Sequence, residues 1–247
     1  MTLVACTMIA FMACNKNDDE DDLLSGMHTV DLSKLNSDYT AQDGEMLTGT
    51  LVNGYGVNIA ENAKVTLGGV SISANGKAGL TCMGNATITM DGQNFVTGGD
   101  GYAGIQVGPK GTILTFETVD GYVDATGGAR AAGIGCGGNG SCGDIILNNG
   151  TIYAFGGDYA AGIGAGYQGQ CQSITLNKGV VTATGGLNGA GIGTGVDGRC
   201  GDITIMASMT SVTATKRGGK SVSSIGPGYN GRCGRIHIQD PSKVTQE

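Results

Sequence analysis

Residues 131–147 read AAGIGCGGNGSCGDIIL, and the same frame returns as AAGIGAGYQGQCQSITL at 160–176, GAGIGTGVDGRCGDITI at 189–205 and VSSIGPGYNGRCGRIHI at 222–238. The isoleucines Ile134, Ile163, Ile192 and Ile225 step by 29, 29 and 33 residues, and weaker copies run back through Ile105, Leu80 and Val57 at steps of 29, 25 and 23. Two further series keep the 29, 29, 33 step. One is Ile145/Leu147, Ile174/Leu176, Ile203/Ile205 and Ile236/Ile238; the other is Val123/Ala125, Ile152/Ala154, Val181/Ala183 and Val212/Ala214, ahead of glycine turns such as Gly156-Gly157. Within each series apolar residues alternate with polar ones, which is the period of a strand rather than a helix. A unit this short buries its inward row only by stacking on the next unit. The sequence therefore predicts an all-β chain, a right-handed parallel β-helix (solenoid) of about seven three-stranded coils over 51–240. At a strand spacing of about 4.8 Å the rod is roughly 34 Å long. Residues 23–50 are expected to form a cap or lead-in strand, because a bare solenoid end exposes unpaired edges. Residues 241–247 form a tail. A sandwich or β-roll is the alternative for short, evenly spaced strands.

Composition agrees with a folded rod of small side chains. Glycine supplies 48 of 247 residues, against a usual share of about 7%. Without a strict every-third glycine, collagen is excluded. Charged residues are 14% and apolar residues 40%, with no tryptophan, so the chain has a core to bury and little charge to hold it open. The net charge is −7, of which −4 falls in residues 14–22 (CNKNDDEDD). A nearly neutral body with no basic stripe argues against a nucleic-acid partner.

Residues 1–13 (MTLVACTMIAFMA) are an uncharged, mostly apolar run, too short for a spanning helix of about 20 residues. They read as the hydrophobic region of a secretory signal peptide. The following Phe11-Met12-Ala13-Cys14 resembles a bacterial lipobox, with Phe11 departing from the usual leucine. Lipidation is expected at Cys14, with residues 14–22 as an acidic linker. The acidic run Asp18–Asp22 resembles the surface-export signal of Bacteroidota lipoproteins. That resemblance implies an outer-membrane, surface-exposed protein held by a lipid.

The segments VTLGGVSI, AGLTCMGNATITM, GYAGIQVG and the repeated AAGIG…CGDI resemble the β-helical surface lipoproteins of gut Bacteroidota. More distantly they are similar to parallel β-helix carbohydrate-binding-domain proteins. The resemblance covers roughly residues 45–240 and rests on structural glycine and aliphatic positions, so it implies the fold more strongly than the ligand.

The motif GxGxxGxC recurs at Gly135–Cys142, Gly164–Cys171, Gly193–Cys200 and Gly226–Cys233. A dinucleotide fingerprint needs a helix N-terminus to receive phosphates, whereas here each copy leads into another strand, so these are corners. GGNGSCGDI is close to a calcium nonapeptide, but Cys142 stands where an aspartate ligand is expected. Asp144, Asp197 and Asp202 leave calcium open as the one candidate ion; no other cofactor is expected. Cys142, Cys171, Cys200 and Cys233 hold one repeat position and should stack as a ladder. Such a line does not supply a zinc tetrahedron, and neighbouring disulfides and free thiols both remain open. With only His28 and His237 in the chain, no nucleophilic triad or HExxH is available. The acids Asp91, Asp100, Asp120 and Asp124 read as scattered, which argues against a lyase.

Between the inward Val123/Ala125 positions and their equivalents lie outward rows: Tyr122-Asp124-Thr126, Thr151-Tyr153-Phe155, Val180-Thr182-Thr184 and Ser211-Thr213-Thr215. Stacked, they form a ridged face with aromatic platforms, hydroxyls and a carboxylate, which suits sugars that offer apolar C–H faces rimmed by hydroxyls. Strand propensity also accounts for Thr and Tyr at such positions. The candidate ligand residues are Tyr122, Asp124, Tyr153, Phe155, Thr182 and Thr184. The expected role is binding of a polysaccharide or cell-surface glycan. An adhesin or spacer presenting a protein-binding face is the alternative, and a polysaccharide lyase the third.

Overall fold

The computed structural model describes residues 27–247; the signal peptide, Cys14 and the acidic linker lie outside the described residues. Every strand pairing given by the register is parallel, and the strands gather into three sheets of 13, eight and four strands. The chain is a parallel β-solenoid of about six turns, slightly fewer than the seven read from the repeat. The first and last of the eight rungs in the second sheet belong to terminal coils, and the complete turns lie between them.

The expected series align rung on rung. Ile105, Ile134, Ile163, Ile192 and Ile225 stack in the eight-stranded sheet. Ala125, Ala154, Ala183 and Ala214 stack in the second leg of the 13-stranded sheet. All of these residues are at most 4% exposed. Burying large isoleucines on one wall and alanines on the opposite wall lets a narrow tube fill without voids. The pair Ile236/Ile238 departs from its series. Ile236 is 43% exposed, because Ile236–Ile238 pairs with Ile203–Ile205 on one side and, among the described residues, has no further rung on the other.

The coil does not hold three strands throughout. Early coils run both legs of the long sheet as single strands, Ala63–Ser73, Ala86–Thr97 and Ile113–Thr126, with register shifts where the legs bend. In later coils the same path splits into pairs such as Asp144–Leu147 and Thr151–Phe155. Those coils also gain a two-residue strand, Ser141–Cys142, Gln170–Cys171, Arg199–Cys200 or Arg232–Cys233. Two residues are too few for periodicity to reveal.

Asn94, fully buried, holds the bend. Its Oδ1 accepts from the Gly69 and Val70 amides, both at 3.0 Å, and its Nδ2 donates to the Tyr122 carbonyl at 3.0 Å. At the N-terminal end His28–Asp31 pairs with Glu45–Thr48, and the short 3-10 turn Leu32–Lys34 places buried Leu32 in the core.

The GxG corners have a steric cause. Gly135, Gly164 and Gly193 have φ of 142°, 125° and 136°. At each of them a Cβ would fall on the carbonyl oxygen of the glycine in the next rung. The glycines therefore let one backbone approach another.

Candidate functional site

The outward rows sit on the second leg of the long sheet, held by the inward Val-x-Ala ladder beneath them. Register puts Asp124 and Thr182 on either side of Tyr153, and Thr126 and Thr184 on either side of Phe155. Tyr122 aligns with Thr151. All six candidate residues are half-buried, on strands whose intervening Ala and Val residues are fully buried. Tyr153 and Phe155 flank buried Ala154 on Thr151–Phe155, so alternation sends both rings outward.

One further residue belongs to this face. Phe95 aligns with Asp124, so one column reads Ser71, Phe95, Asp124, Tyr153, Thr182, Thr213 across successive rungs. Phe95 is 43% exposed. Its ring lies 6.0 Å from Tyr122 at 88°, and Tyr122 lies 5.5 Å from Tyr153 at 89°. The rings therefore do not form the flat platform expected from the stacked rows. They lock edge to face, the geometry preferred by ring quadrupoles. Phe95 belongs to a coil outside the strict 29-residue repeat, which is why the series did not place it; its signal was the alternation in Asn94-Phe95-Val96-Thr97.

Asp124 is the one carboxylate in that column, between Phe95 and Tyr153. Burial against these rings raises its carboxyl above the ordinary value, partly offset by a hydrogen bond from Thr126. A partly desolvated acceptor beside aromatic faces is suited to a sugar hydroxyl, which returns the hydrogen bond that water has lost. Along the bend beside the rows runs a groove of about 260 Å³ that includes Thr151, Val180 and Asp120. Asp91 and Asp120 prove to be aligned on neighbouring rungs, a correction to the reading of these acids as scattered; Asp124 lies in a different column.

The cysteines stack as expected. Cys142, Cys171, Cys200 and Cys233 are in register, and Cys136 extends the line to five thiols in mutual hydrogen-bond reach. All are free thiols. The neighbouring sulfur and burial together push Cys142 and Cys171 well above the ordinary thiol value. Such thiols are poor nucleophiles at neutral pH.

The three aspartates considered for calcium are not brought together. Asp144 and Asp202 line a groove of about 530 Å³ beside the cysteine ladder, and Asp197 lies at a different corner. Asp144 already accepts from Ser173 N at 2.9 Å and Ser173 Oγ at 2.6 Å, and Asp202 from Arg235 N at 2.8 Å. These carboxylates link one rung to the next. Among the described residues no group of three or more His, Cys, Asp or Glu side chains is placed to hold a metal, and no helix is long and apolar enough to cross a membrane.

No protein-family model, curated protein or solved structure matches this chain.

Proposed function

We propose that this β-solenoid is a polysaccharide-binding protein whose ligand lies across the outward rows of the long sheet. The observation that carries the reading is the column Phe95–Asp124–Tyr153–Thr182, with Tyr122 locked between the two outer rings. Aromatic rings supply apolar contact for C–H faces. Asp124 and the threonine hydroxyls supply hydrogen-bond partners at the next rungs, about 4.8 Å away on either side. The inward ladder fixes these groups before the ligand arrives, which lowers the ordering cost of binding.

The test is a binding isotherm for wild type and Tyr153→Ala/Phe155→Ala against neutral and acidic polysaccharides. Removing both rings is expected to weaken binding about tenfold or more, with the far-UV spectrum unchanged because neither ring lies in the core. Equal binding by the two proteins would place the site elsewhere on the rod. Binding to none of the polysaccharides would favour an adhesin.

The anchor completes the proposal. The apolar run 1–13, Ala13-Cys14 and the acidic segment after it support display at the outer membrane through a lipid on Cys14. Cys14→Ser is expected to abolish lipid labelling and release the protein from membranes. Labelling that persists would refute the anchor.

A further inference from the structure

A second aromatic site lies at a corner of the coil, away from the outward rows. Three successive rungs turn this corner through a residue in the left-handed region: Arg130 at φ 67°, Tyr159 at 68° and Asn188 at 61°. One rung earlier Gly101 takes the same turn at φ 84°. Glycine and asparagine accept this conformation readily, whereas a bulky tyrosine is an outlier there. Strained backbone of this kind persists where the surroundings hold it, and it concentrates at ligand sites.

The surroundings do hold it. The facing segments donate backbone N–H groups to the corner carbonyls: Tyr167 to Arg130 at 2.9 Å, Val196 to Tyr159 at 2.8 Å and Tyr229 to Asn188 at 3.0 Å. Between corner and facing segments runs a groove of about 310 Å³ that includes Arg130, Tyr159, Tyr167, Asn188, Asp197 and Tyr229. Tyr159 and Tyr167 meet at 6.2 Å and 63°, and the Arg130 guanidinium sits 5.8 Å from the Tyr167 ring. Tyr159 is 37% and Tyr229 43% exposed. Neither Arg130 nor Asp197 has an ion-pair partner among the described residues.

We infer that this groove is a second carbohydrate site, one that takes a neutral oligosaccharide. Exposed tyrosine rings offer the surface on which a pyranose lays its C–H face. The Asp197 carboxylate accepts from sugar hydroxyls, and the Arg130 guanidinium and Asn188 amide donate to them, so each polar group finds a partner on one ligand. One cation and one anion line the same groove, so it favours a ligand with no net charge. Tyr159 follows Phe155 by four residues, so the two sites are at most about 14 Å apart along the chain. A polysaccharide longer than a few rings therefore reaches both, and each site raises the apparent affinity of the other.

The test measures oligosaccharide binding by the full chain. The probes are short neutral oligomers of glucose, galactose, mannose and xylose, with oligogalacturonate as the charged comparison. Wild type is expected to bind at least one neutral series in preference to the uronate. Tyr159→Gly is expected to weaken that binding about tenfold or more without lowering the melting temperature, since glycine relaxes a turn at φ 68°. Should that variant fail to fold, Asp197→Asn gives the same test, because asparagine also suits its φ of 53°. The inference is overturned if no neutral series binds, if the uronate binds better, or if the variant binds as wild type does. Binding lost in Tyr153→Ala/Phe155→Ala but intact in Tyr159→Gly assigns the sugar to the outward rows alone and also overturns it. Loss confined to the corner variant supports this site and refutes the rows.

Discussion

Replacing Gly164 by alanine tests the corner geometry directly, because three glycines separate the two ways in which a Cβ harms this backbone. At Gly164 φ is 125°, the added carbon would fall on the Gly193 carbonyl oxygen of the next rung, and Ile174 Cδ1 stands 3.2 Å away. At Gly101 φ is 84° but nothing lies within 4 Å, and at Gly219 nothing lies within 4 Å and the backbone is unstrained. Gly219→Ala is therefore expected to change stability by no more than about 0.5 kcal/mol. Gly101→Ala carries only the conformational term, about 1–2 kcal/mol. Gly164→Ala carries that term and adds overpacking of about 1–3 kcal/mol. The added term is felt because neighbouring rungs are hydrogen-bonded at this point: the Ala165 amide donates to the Gly193 carbonyl at 2.9 Å. Urea melts followed by far-UV circular dichroism give the order of the three midpoints. Gly164→Ala no less stable than Gly101→Ala would mean that the rungs do not approach as closely as the register requires. A nucleotide-binding reading of GIGAGYQG predicts no such dependence on the next rung.

Ile163, 1% exposed between Ile134 and Ile192, should lose about 2–5 kcal/mol on truncation to alanine, whereas outward Thr182→Ala should lose no more than about 0.5 kcal/mol. Equal midpoint shifts at the two positions would contradict the assignment of faces. Asp124 has a raised folded pKa, so its charge opposes folding. That penalty is absent in acid, grows as pH rises from the ordinary carboxyl value of about 3.9 through the raised value, and is constant above it. Asp124→Asn should accordingly gain stability relative to wild type at neutral pH and lose the advantage in acid, and a stability difference independent of pH would refute the assigned burial.

The solenoid was legible because its cause is a repeated local event. Ile134, Ile163 and Ile192 each fill the same cavity, and a 29-residue step in the sequence is the direct image of one rung lying on the next. The cysteine ladder followed from the same logic. What escaped was whatever does not repeat at that step. The early coils bend one strand where the later ones use two, so Phe95 lies on the face of Tyr153 although the interval to its neighbours differs. Ring orientation was likewise unreadable. Register places Tyr122 and Tyr153 on neighbouring rungs, but whether they lie flat or edge to face depends on side-chain angles fixed by Phe95 and by their mutual contact. The corner groove escaped because its residues come from two segments of each coil, Arg130, Tyr159 and Asn188 on one side and Tyr167 and Tyr229 on the other. The turn joining them gives no periodic signal.

A repeat protein separates fold from function along its own period. Positions that must be the same in every coil are those whose neighbours above and below are themselves, such as the isoleucine wall, the alanine wall and the GxG corners. There a single unlike residue leaves a cavity or a clash in two interfaces at once. An outward position meets only side chains beside it and is free to differ, so unlike residues there do not arise from stacking. On this rod such departures cluster in two places. In the column through Tyr153 the later threonines give way to Tyr153, Asp124 and Phe95. At the corner, a turn that Gly101 and Asn188 make without strain is made by Tyr159 at φ 68°. Strand propensity favours the tyrosine in the first case, which weakens the argument from composition alone and leaves its weight on the ring contacts. In the second case backbone preference opposes the tyrosine, so its presence needs a ring in the groove as its reason. The corner is therefore the stronger physical argument for a ligand, although the outward rows are the more conspicuous feature of the sequence.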